Sequence, residues 1–149
     1  MRSVIFLRIA SVLTFIHAAL HTIGGVFGKT PPSAQTVVTA MKTDQFAALG
    51  AMRTMWDFYM GMGLAVSVFL TMEAVVFWQL GSLAKTDALR LRPILATFLI
   101  GYLGFAVVSY RYFFAGPVIT EILIALCMGL AIASVKRTGG SSALAKDDN

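Results

Sequence analysis

Four long apolar runs, separated by short polar connections, constrain this chain more than any other feature of its sequence. They cover about residues 4–27, 55–80, 94–114 and 118–135. Each is long enough to cross a hydrocarbon layer of ~30 Å at ~1.5 Å per residue. In lipid, backbone N–H and C=O groups must find partners inside the segment, so the runs read as helices rather than open strands. The predicted fold is all-α, an integral membrane four-helix bundle. Composition agrees: 58% of residues are hydrophobic and 13% charged, with a mean hydropathy of +0.80. A soluble domain is about half apolar and about a quarter charged.

The connections read in the same way. Gly24, Gly25 and Gly28, then Lys29, Pro31 and Pro32, end the first run. Arg2 and the apolar stretch after it have the make-up of a signal peptide, but Arg8 splits that stretch and no A-x-A site follows, so retention is expected. Within residues 33–54, Val37, Val38, Met41 and Phe46 fall at roughly helical spacing. That predicts a short amphipathic segment between helices 1 and 2, a helix lying on the membrane surface. Residues 81–92 read as a short basic loop, and Pro93 suits the first turn of the next helix. Gly116-Pro117 is expected to break the chain tightly before the last span. Residues 1–138 read as a single transmembrane domain and 139–149 as a disordered polar tail.

Lysines and arginines set the orientation. With the N-terminus inside, Arg2, Arg8, Lys85, Arg90, Arg92, Lys136, Arg137 and Lys146 make eight inner cations, and Lys29, Lys42, Arg53 and Arg111 make four outer ones, which together are the 12 present. The bias predicts a multi-pass protein of the cell inner (plasma) membrane with both termini cytoplasmic. The net charge of +5 comes from cations scattered singly. Without a basic stripe or an aromatic platform, no nucleic-acid partner is expected. Cys127 is the single cysteine, which excludes an intrachain disulfide.

Small residues recur at helical spacing: Gly63 and Ser67, Gly101 and Gly104, then Ala125, Gly129 and Ala133. They predict close helix packing within one chain, with homo-oligomerisation as the alternative.

Ionisable groups inside spans are costly, so each needs a reason. His17 and His21, Arg53 and Asp57, Tyr110 with Arg111 and Tyr112, and Glu121 all fall toward the outer ends of their spans. All four helices are thus expected to give polar groups to one leaflet, as a candidate ligand-binding cluster of Arg53, Trp56, Asp57, Tyr59, Tyr110, Arg111 and Glu121. His17, His21 and Asp57 are candidate acid–base residues. His17 and His21, four apart on one helix face, are also weak metal candidates. Two histidines on one face cannot ligate opposite faces of one haem, and the chain has no other histidine. No cofactor is assigned. Arg53 with Asp57, and Arg111 with Glu121, are expected as interfacial ion pairs. Arg8 and Glu73 lie toward the inner side and are expected to form a buried structural ion pair; a Glu73 without that partner would suit a proton relay. The aromatic residues read mainly as membrane-interface belts, with Trp78 in the inner one.

The segments His17-Ala-Ala-Leu-His21-Thr-Ile-Gly-Gly, Trp56-Asp57-Phe58-Tyr59 and Tyr110-Arg-Tyr-Phe-Phe-Ala-Gly-Pro117 together resemble an uncharacterised family of small bacterial four-span membrane proteins. The resemblance covers about residues 5–136. It implies the fold and the location, and no activity. Glu73, Trp78, His17 and Asp57 are residue types similar to those of the emopamil-binding isomerases, without shared spacing, and no roles are carried over.

The chain has no P-loop, dinucleotide fingerprint, nucleophile elbow or paired CxxC. The functional expectation is a membrane protein that binds a lipophilic small molecule or a partner at the outer polar cluster. The alternative is a membrane enzyme acting on a lipid, sterol-like or quinone-like substrate through His and Asp. A transporter ranks last, because polar groups at one depth do not make a pathway.

Overall fold

The structure, a computed structural model, describes residues 2–135. The expected tail at 139–149 lies outside them. Helix α1 (Arg2–Leu20) continues into a π-helical turn (His21–Val26). A short 3-10 turn (Pro32–Ala34) leads into α2 (Gln35–Thr43), then strands β1 (Gln45–Ala48) and β2 (Ala51–Thr54). Helices α3 (Met55–Asp87), α4 (Arg92–Tyr112) and α5 (Ala115–Ala133) follow. Four segments, Arg2–Val26, Met55–Asp87, Arg92–Tyr112 and Ala115–Ala133, are long and apolar enough to cross a membrane. The fold is all-α in its spanning part, the make-up of a multi-pass membrane protein.

Three boundaries differ from expectation. The amphipathic segment is not one helix: α2 ends at Thr43, and the remainder pairs as an antiparallel hairpin, with Phe46 opposite Arg53 and Ala48 opposite Ala51. Leu49 and Gly50 turn it with φ of 45° and 86°, the positive pair that a two-residue primed turn requires. Helix α3 does not stop near residue 80. Its 33 residues rise about 50 Å, so it outruns the hydrocarbon layer, and the expected basic loop shrinks to a turn before Arg92. The break between the last two spans falls at Phe113 and Phe114, with Phe114 extended. Gly116-Pro117 lies in the first turn of α5, where proline costs no backbone hydrogen bond.

The chain divides into two compact units, Met1–Leu13 with Val75–Asn149, and Thr14–Ala74. In the first, α4 and α5 pack as a helical hairpin. Phe77 of α3 is fully buried there, with Phe98 edge-on at 4.8 Å and Tyr102 at 5.9 Å. Leu7, Leu95, Ile124 and Met128 complete this core. Cys127 is free and buried. In the second unit, the π-turn and the hairpin are both held to the first half of α3. The π-turn shows in the bond from Phe27 N to Thr22 O, 3.0 Å and five residues back. Val26 lies so close to Gly63 that a β-carbon there would stand 2.9 Å from Val26 Cγ2, so Gly63 is a point of close approach. A β-carbon at Gly101, Gly104 or Gly129 would meet nothing within 4 Å. Those three glycines therefore do not serve the close packing expected of them.

Candidate functional site

In the Thr14–Ala74 unit, the chain turns from β2 into α3 at Thr54. Thr54 N donates to Asp57 Oδ2 at 2.9 Å, and Asp57 N donates to Thr54 Oγ1 at 3.1 Å. This reciprocal pair is a capping box, which satisfies two of the donors that a helix start leaves open. The expected Arg53–Asp57 ion pair does not form. Arg53 lies on β2 instead of on the helix, and its Nη1 donates to Met52 O at 2.9 Å. The hairpin is fixed to α3 by Phe46 stacked on Phe58, with ring centroids 5.9 Å apart. Lys42 Nζ stands 4.3 Å over the Trp56 ring, and Trp56 stacks with Tyr59 at 5.2 Å.

Below this junction an open cleft of about 310 Å³ runs along one face of α3. Phe58, Gly61, Met62 and Ala65 line it at helical spacing, with Arg53 and Asp57 also in its wall. The walls are mainly apolar and carry one charge of each sign.

The histidines lie on the neighbouring side of the same unit. His21 Nε2 is 3.0 Å from Gly63 O. Since a carbonyl only accepts, this nitrogen carries the proton, and Nδ1 is left next to Gly25. Thr22 Oγ1 lies 2.8 Å from Ser67 Oγ and 2.7 Å from Ala18 O, and Tyr59 donates its hydroxyl to Gly25 O at 3.1 Å. His17 Nδ1 is buried without a hydrogen-bond partner. Among the described residues, no three His, Cys, Asp or Glu side chains gather as a metal site.

The other unit holds the remaining candidates. Glu121 is buried on α5, and Ser109 of α4 donates to its Oε1 at 2.8 Å, while Oε2 has no hydrogen-bond partner. The expected Arg111–Glu121 pair is replaced by this bond, and Arg111 is exposed at the end of α4 with Tyr110 and Tyr112. Arg8 lies 3.4 Å from the centroid of the Trp78 ring and donates to Ser82 Oγ at 2.9 Å. Trp78 thus stacks on a cation. Glu73 belongs to the Thr14–Ala74 unit and is not left without a partner. A larger depression of about 1050 Å³ lies among helix ends, lined by Arg2, Ser3, Asp87 and Ser134 among others.

The sequence cluster therefore divides: His17, His21, Arg53, Trp56, Asp57 and Tyr59 belong to one unit, and Tyr110, Arg111 and Glu121 to the other. Sequence reasoning missed Thr54 and Ser109, and it read Gly63 and Ser67 as packing residues without their hydrogen-bond roles. Thr54 carried a readable signal, the T-x-x-D spacing before an apolar run. The others are small residues whose roles depend on which helix lies opposite.

No family model, curated protein or solved structure matches the chain.

Proposed function

We propose that this is a multi-pass protein of the inner (plasma) membrane, with both termini cytoplasmic, that binds a lipophilic molecule along the outer half of α3. The observation that carries this reading is the cleft of about 310 Å³, with an aliphatic and aromatic floor and Arg53 and Asp57 in its wall. Pockets of this kind, mostly apolar with a few placed polar groups, suit amphiphilic ligands. The eight-to-four cation bias supports the orientation.

Acid–base catalysis draws less support. Asp57 is engaged by the Thr54 cap and His21 by the Gly63 carbonyl, which leaves His17 as the one candidate side chain not engaged by a described bond.

Gly61 tests the binding reading cleanly, because a β-carbon there meets nothing within 4 Å. Gly61→Leu adds bulk in the cleft and favours the helix by roughly 0.8 kcal/mol. Mass spectrometry of protein purified in mild detergent is expected to find a stoichiometric lipophilic species in the parent chain. The Gly61→Leu variant, no less stable, is expected to lose it. A parent chain that carries nothing, or a variant that binds as before, overturns the proposal.

A further inference from the structure

The two charged residues in the cleft wall have opposite signs and do not neutralise each other. Arg53 Nη1 bonds to the Met52 carbonyl, and a guanidinium has further N–H donors beyond that nitrogen. Asp57 uses Oδ2 to accept from Thr54 N, and a carboxylate has about four acceptor sites in total. Both side chains are exposed. Phe58, Gly61, Met62 and Ala65 continue from them along α3, a strip fit for an acyl chain.

Resting on the lipid-binding reading above, we infer that the cleft selects a zwitterionic phospholipid whose head bears an N–H ammonium, the phosphatidylethanolamine type. The phosphate lies against the Arg53 guanidinium, and the ammonium donates to Asp57. The other common heads fit the cleft less well, by different routes. An anionic glycerol head meets Arg53 but gives Asp57 no cation. A choline head carries the right charges but has no N–H to donate, so it forgoes the charge-assisted hydrogen bond. Lys42, over the Trp56 ring, adds a second cation to the hairpin's surroundings without entering the cleft wall.

The test is native mass spectrometry of the full chain in mild detergent, titrated with phosphatidylethanolamine, its N-methyl and N,N-dimethyl forms, phosphatidylcholine and phosphatidylglycerol, all with the same acyl chains. Retention is expected to fall stepwise as methyl groups replace N–H. The first and last of that series should differ about ten-fold, the scale of one charge-assisted hydrogen bond. Asp57→Asn keeps an oxygen for the Thr54 cap and is expected to abolish the ethanolamine preference, so that the ethanolamine and choline lipids are retained alike. Arg53→Gln is expected to weaken every phospholipid. Equal retention across the methylation series, a preference for phosphatidylglycerol, or an ethanolamine preference that survives Asp57→Asn overturns the inference while leaving lipid binding intact. A parent chain that retains no phospholipid overturns the inference, and the binding reading falls with it where the purified chain carries no lipophilic species at all. The methylation series needs no variant, so it decides the matter even where Asp57→Asn fails to fold.

Discussion

Leu49 stands at φ 45° in the hairpin turn with its side chain fully exposed. The left-handed region crowds a β-carbon against the following carbonyl, and Asn or Gly tolerates it better than Leu. Leu49→Asn is therefore expected to raise stability by about 0.5 kcal/mol in detergent, read from thermal unfolding. A loss of stability would mean that the leucine gains more from an apolar surrounding than its backbone costs. At the same scale, Ser109 is the donor seen on the buried Glu121 carboxylate. Ser109→Ala removes that donor and is expected to cost about 1–3 kcal/mol, because a buried polar group left unmatched keeps its desolvation cost. An unchanged unfolding midpoint would show the bond to be dispensable.

Among the elements, α3 carries most of the interactions that organise the candidate site. Its start depends on the Thr54–Asp57 box. Its first half receives His21, Thr22 and Val26 from the π-turn, and its own Tyr59 donates back to that turn. The π-turn widens the backbone where Gly24 and Gly25 occur, and the Gly25 carbonyl becomes the acceptor for Tyr59. Gly63→Ala is expected to cost about 1–3 kcal/mol through overpacking against Val26. Adding Val26→Ala should recover part of that cost, and a double-mutant cycle by chemical unfolding measures the coupling. Strictly additive effects would show that the two residues do not share the contact.

For the whole molecule, the testable quantity is orientation. Cys127 is buried, so a Cys127→Ser background gives a clean start for cysteine labelling. In that background an impermeant maleimide is expected to label Lys42→Cys in intact spheroplasts, and Lys85→Cys only after the membrane is opened. The opposite pattern would place both termini outside.

The four spans were legible because lipid removes every alternative partner for the backbone: an apolar run of sufficient length has to be helical, whatever packs beside it. The residue types at the candidate site were legible too, since Arg53, Asp57, His17 and His21 are conspicuous among apolar neighbours. What each one does was not. Sequence spacing paired Arg53 with Asp57 on one helix, but the hairpin puts Arg53 on a strand and gives Asp57 to the Thr54 cap. It paired Arg111 with Glu121 across a short turn, but Ser109, one residue type among many small ones, takes the carboxylate. It gave Gly63 and Gly101 the same packing role, but only Gly63 has a side chain against it. Burial from water is a local property that composition carries along the chain. Partner choice depends on the rotation and register of facing elements, and only the tertiary structure decides those.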